Sequence, residues 1–226
     1  GDAVGLGLVE RARDAAARED WEQAFDLLME AEADGWLAPA ELALLGEVAY
    51  AAGHLDVTIE AWERAHAAYM RAGDQVAAAG AGVRVAMHLI FDTALMAPVR
   101  AWLARAEQLL EGLGETSAHA WLAVVRAYER MLTGDLATAG QWAKRAIEVG
   151  SRCDPAAFAI GGVAQARLLI LHGDVQQGLA LLGRAQLSGA TRAGGVPLRL
   201  AAGNGHRWPA RALHRGVGGI GPLAAR

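Results

Sequence analysis

The chain has 226 residues, of which 54% are hydrophobic, so length and apolar content suffice for a folded core and wholesale disorder is excluded. Alanine supplies 52 positions, whereas only thirteen residues are aromatic, and seven of those are Trp. Alanine favours helices, and few Phe, Tyr or Ile are present to build strands, which argues against a β-rich fold. The single Cys excludes an internal disulfide framework and a Cys-rich zinc site.

The charge is unevenly distributed along the chain. Residues 1–186 carry 15 basic and 25 acidic side chains, whereas residues 187–226, the basic tail, carry six Arg and no acidic residue. The main part of the chain therefore repels phosphate groups, and only the basic tail could attract them.

No targeting or membrane segment is evident in the sequence. Acidic residues occupy the start of the chain where a signal peptide would be basic. The most apolar stretch, residues 76–99, is interrupted by Arg84, His88 and Asp92, which would be costly to bury in lipid. We therefore expect a soluble, cytoplasmic protein.

Several short turn signals recur along the chain. They are, in chain order, Glu19-Asp20-Trp21, Gly53-His54-Leu55, Gly134-Asp135-Leu136 and Gly173-Asp174-Val175. A glycine with positive φ can end one helix, and a short polar residue can cap the next. Each signal therefore predicts a turn between two helices.

An apolar or small residue recurs at positions i, i+3, i+4 and i+7 after each of these turns, which is the spacing of one helix face. The four sets are Ala24, Leu27, Leu28, Ala31; Thr58, Ala61, Trp62, Ala65; Ala139, Trp142, Ala143, Ala146; and Gly178, Leu181, Leu182, Ala185. Another helix pair, over residues 75–95 and 98–113, lacks the Gly-Asp turn. One alanine on the second helix of each pair is taken as equivalent: Ala31, Ala65, Ala106, Ala146 and Ala185. These alanines are 34, 41, 40 and 39 residues apart, which predicts five helical hairpins.

This pattern resembles the tetratricopeptide repeat, a helical hairpin with Leu-Gly on its first helix. The second hairpin matches best, with Leu45-Gly46, the turn at Gly53, and then Trp62 and Ala65 on the second helix. The resemblance implies an all-α fold, an α-solenoid of about five antiparallel hairpins that stack as a right-handed superhelix over residues 3–186. The Trp residues of the second helices, Trp21, Trp62, Trp102 and Trp142, are expected in the core between repeats.

Residues 16–75 are also similar to the repeat regions of actinobacterial LuxR-type transcription regulators. In those proteins the repeats precede a helix-turn-helix domain. The resemblance implies a part of such a regulator, with specific DNA binding only through a domain missing from this chain.

The first helix of each repeat lines the concave groove in the resembled family, and this groove is the usual binding surface. Carried onto this sequence, the pattern places eight side chains there: Glu47, Tyr50, Arg84, His88, Asp92, Trp121, Tyr128 and Arg167. Arg and aromatic residues dominate the energetics of interfaces. The alternative is that Trp121 and Tyr128 are ordinary packing residues and that the charges form a solvated face.

The basic tail departs from the helical pattern. From residue 188 it contains nine Gly and three Pro without helical periodicity. Two interpretations remain open: a disordered basic tail, or an aberrant gene end such as a frameshift.

No catalytic motif, metal-ligand set or cofactor-binding loop is present in the sequence. His88 and Asp92 are four residues apart, but two ligands are too few for a metal site. We therefore expect a non-catalytic scaffold or sensor module, without a cofactor, that binds a protein, peptide or small effector in its groove. The alternative is a nucleic-acid-associated regulator that binds through the basic tail.

Overall fold

The computed structural model describes residues 2–35, 37–93 and 95–187, and it forms ten helices and no strand within them. The helices are α1 (Asp2–Ala17), α2 (Trp21–Asp34), α3 (Pro39–Ala52), α4 (Leu55–Ala72), α5 (Gln75–Asp92), α6 (Met96–Leu110), α7 (Ser117–Leu132), α8 (Leu136–Cys153), α9 (Pro155–Leu171) and α10 (Val175–Leu187). The fold class is all-α and solenoid-like, as predicted. Disorder was predicted for the basic tail, residues 187–226. Of these, only Leu187 belongs to the described residues.

The chain divides into two compact units, Gly1–Leu122 and Ala123–Arg226, and the boundary falls within α7. In the first unit each helix from α1 to α5 packs against the next helix in the chain. In the second unit α8 packs against α9, and α9 packs against α10. Short turns between successive helices make these neighbours antiparallel, which is the arrangement that the repeat pattern predicts.

The predicted turns lie between helices, and their backbone explains why these residues occur there. Gly53 and Gly134 have φ angles of 91° and 85°, a region that L-residues with a Cβ rarely occupy. Asp20 and Asp135 cap the helices that follow them, because their carboxylates accept hydrogen bonds from the backbone N–H groups of Gln23 and Thr138.

His54 replaces the capping Asp at the start of α4, and its side chain makes no capping hydrogen bond. Its ring instead stacks on Phe25 of α2, with 4.0 Å between centroids. With His54 in place of Asp, the protein lacks a side-chain cap at α4 but gains a contact between two successive hairpins.

The predicted helix stripes form the core of the first unit. Leu28, Ala61 and Ala65 are at most 1% exposed. Of the four Trp residues expected in the core, Trp62 is buried, whereas Trp21 and Trp102 are only partly buried and pack against the core from its edge. Trp142, in the second unit, is also only partly buried.

Small residues set the distance between paired helices. A Cβ atom on Gly46 would lie 2.7 Å from Nε1 of Trp62, so the indole of α4 rests on the bare backbone of α3. In the second unit, a Cβ on Gly178 of α10 would lie 2.5 Å from Cγ1 of Ile170 on α9. Glycine is required at these positions by the approach of the neighbouring helix.

In the part of the chain that the structure describes, no helix has both the length and the apolar character needed to cross a bilayer.

We expect Gly46→Ala to destabilise the protein, because the new methyl group displaces the buried indole of Trp62. The overpacking cost of roughly 1–3 kcal/mol exceeds the gain of up to about 1 kcal/mol that alanine gives in a helix. The matched control is Gly80→Ala in α5, where the nearest atom, Cβ of Ala118, is 3.9 Å away. This control should be neutral or stabilising. Equal shifts of the urea midpoint in both variants would contradict the close Gly46–Trp62 contact.

Candidate functional site

Arg84 is the centre of a polar and aromatic cluster in the first unit. Its guanidinium lies 4.7 Å from the ring centroid of Trp121 on α7 and 5.6 Å from that of Trp62 on α4. Both distances are within the range of cation–π attraction. The side chain of Arg84 is half-buried, and the two indoles hold its guanidinium near their rings.

His88 lies one turn after Arg84 on α5 and is only 1% exposed. Its ring packs on Tyr50 of α3, with centroids 4.6 Å apart and planes tilted by 47°. Burial, reinforced by the positive charge of Arg84, lowers the pKa of His88 to about 3. The imidazole is therefore neutral at physiological pH.

Asp92 and Glu47 contribute negative charge to the same two helices. A carboxylate oxygen of Asp92 lies 3.9 Å from Nδ1 of His88, which is too long for a hydrogen bond. The low pKa of His88 comes from its burial and, second, from the charge of Arg84. Glu47 is exposed on α3, and its charge contributes, after burial and Asp74, to raising the pKa of Tyr69.

The second unit contains a smaller cluster. The guanidinium of Arg167 on α9 lies 5.8 Å from the ring centroid of Tyr128 on α7. Tyr128 is 1% exposed, and burial raises the pKa of its hydroxyl, although Arg167 partly offsets the rise. Its ring therefore serves as packing under Arg167 and offers little surface to a ligand.

Within the first unit, five of the eight predicted groove residues lie in one contact network: Tyr50, Arg84, His88, Asp92 and Trp121. Glu47 belongs to the same unit, and Tyr128 and Arg167 pair in the second. Trp121 is only 5% exposed, which agrees with the alternative that its ring is ordinary packing. Arg84 is half-buried and is the only cation among these five residues.

Two features of the clusters escaped the sequence analysis. Trp62 was assigned to the core alone, yet its ring also lies near Arg84. Glu129 is fully buried in the second unit, where its Oε2 lies 3.0 Å from Nε of Arg130 and 3.8 Å from a guanidinium nitrogen of Arg126. The sequence signal for this second feature was an acidic residue flanked by two Arg within an apolar helix.

Among residues 2–35, 37–93 and 95–187, no group of three or more His, Cys, Asp or Glu side chains could hold a metal ion. His88 and Asp92 approach each other but have no third ligand in that set.

No protein-family model and no curated protein matches the chain. Among solved structures, the chain is similar to BtubC (BKLC) from P. vanneervenii, with a TM-score of 0.57 and 17% sequence identity. The alignment covers 99% of this chain and 93% of BtubC. A likeness at this identity supports the helical fold and carries no information on function.

The buried His88 predicts a specific pH dependence of stability. Its folded-state pKa of about 3 lies below the unfolded value of 6.5, so the unfolded chain binds more protons between these values. The free energy of unfolding should therefore fall as the pH drops from 6.5 towards 3, by up to about 1.4 kcal/mol per unit from this residue. His88→Gln should show a shallower fall in urea titrations at pH 7, 6, 5 and 4. Parallel curves for parent and variant would rule out this role of His88.

Proposed function

We propose that the chain is a non-catalytic helical-repeat scaffold or sensor module, and that the face around Arg84 binds a protein, peptide or small effector. The observation that carries this proposal is the half-buried guanidinium of Arg84 between the rings of Trp62 and Trp121. Three helices, α4, α5 and α7, contribute to this arrangement. A ligand that bonds to Arg84 would therefore contact a surface built by more than one hairpin.

The restraint of Arg84 favours binding over a role in stability alone. An Arg side chain that is already held in place loses less rotamer freedom when a ligand binds. Its planar donor groups suit carboxylate and phosphate groups, which accept two parallel hydrogen bonds. The neutral His88 beside it adds a polar ring without adding charge.

We further propose that the chain is part of a LuxR-type transcription regulator that acts in the cytoplasm. The similarity of residues 16–75 to the repeat regions of those regulators supports this proposal. Specific DNA binding would then come from a domain outside this chain, and the repeats would sense a partner or effector.

The test is calorimetric titration of the full chain with a partner recovered by pull-down. Arg84→Gln should weaken binding by about 2 kcal/mol, the scale of an interface anchor, and should reduce its salt dependence. Arg105→Gln is the matched control, because Arg105 is an exposed arginine on α6. Circular dichroism would verify that both variants remain helical. If Arg84→Gln binds like the parent protein, the proposed face is not the binding site.

The second candidate is nucleic-acid binding through the basic tail, which the six Arg without any acidic residue favour. Six phosphate contacts should lose about a thousandfold in affinity between roughly 50 and 200 mM salt. A gel-shift experiment at these two concentrations, with the full chain and with a chain ending at Leu187, would measure this loss. A shift that persists after deletion of residues 188–226, or no shift at either concentration, would exclude the second candidate.

A further inference from the structure

The first unit has a cavity away from Arg84, which we call the Arg71 pocket. It lies between the end of α2, the beginning of α3 and the C-terminal half of α4, and its volume is about 600 Å³. Cavities of this size are typical of small-molecule sites. No residue of the Arg84 network lines it.

The floor of the Arg71 pocket is aliphatic. Leu37, Leu42 and Ala68 line it and are buried to more than nine tenths of their surface. The small side chains on α4, such as Ala67 and Ala68, leave the space that larger residues would fill. The described aliphatic side chains can pack against an alkyl chain.

The charged groups of the pocket are two guanidinium groups and one carboxylate. Glu32 forms an ion pair with Arg64. Arg71 is exposed at the mouth, and its positive charge is not matched by a second carboxylate in the described lining. An excess positive charge is unusual here, because residues 1–186 carry more acidic than basic side chains.

We propose that the Arg71 pocket binds a small amphiphilic carboxylate with an aliphatic chain. The alkyl chain lies on Leu37, Leu42 and Ala68, and the carboxylate accepts hydrogen bonds from the guanidinium of Arg71. This site is independent of the Arg84 face, so its ligand is distinct from the partner proposed there.

The probe for this site is octanoate, titrated calorimetrically into the full chain, with octanol and octylammonium as neutral and cationic analogues. Octanoate should bind saturably, and octylammonium should bind at least about tenfold more weakly because it meets Arg71 with the wrong charge. Equal affinities for all three probes would overturn the proposal, as would the absence of saturable octanoate binding.

Three variants locate the site. Arg71→Gln should weaken octanoate by about tenfold or more and leave octanol unchanged, since only the carboxylate needs the guanidinium. Ala67→Trp should block both probes, because it fills the mouth from an exposed position where the fold is not strained. Arg105→Gln is the control: Arg105 lines another groove of about 470 Å³, between α4 and α6, with Met70 and Leu109.

The outcomes separate the two sites and the two proposals. Loss of octanoate binding in Arg105→Gln with retention in Arg71→Gln would place the ligand in the other groove and overturn the assignment. Arg84→Gln should leave octanoate binding unchanged, so failure of the Arg84 face and failure of the Arg71 pocket give different results.

Discussion

Close approach of paired helices is the constraint on which the rest of the structure depends. Where α3 and α4 meet, the ring of Trp62 lies on Gly46, and no side chain larger than hydrogen fits between them. Ala61 and Ala65 of α4 are at most 1% exposed, so small side chains fill the buried stripe on either side of Trp62. Alanine recurs in the helices because the paired helices are held together by small residues and a few large ones.

Trp62 connects this packing to the candidate site. One part of its indole contacts the backbone of Gly46, and its ring also lies 5.6 Å from the guanidinium of Arg84. A shift of α4 away from α3 would therefore also move one of the two rings that hold Arg84. The position of the charged group depends on the same glycine that sets the helix spacing.

The sequence was sufficient for the hairpins because their signals are local. Turn glycines such as Gly134, caps such as Asp135 and stripes of period 3.6 act within a few residues, so they can be identified without a structure. The partners of Arg84 could not be identified in this way. Trp62 and Trp121 are far from it in sequence, and their approach depends on how three helices pack. The family resemblance predicted Trp121 in the groove, whereas the structure shows that its side chain is only 5% exposed.

The buried histidines show how the first unit accommodates polar groups. His66 lies within 2.7 Å of the carbonyl oxygen of Ala78, so its Nδ1 donates a hydrogen bond that ties α4 to α5. Each ring nevertheless keeps one buried nitrogen without a hydrogen-bond partner, Nε2 in His66 and Nδ1 in His88. Both are neighbours of large rings, Trp102 for His66 and Tyr50 for His88.

The low pKa of His88 determines the charge beside Arg84. A protonated His88 would repel the guanidinium of Arg84, and the low pKa of His88 prevents this at neutral pH. Arg84 therefore remains the positive charge of its network, opposed by Asp92 at the end of the same helix. An anionic group of a ligand would be attracted by Arg84 and repelled by Asp92, so the position at which it approaches the helix would decide how strongly it binds.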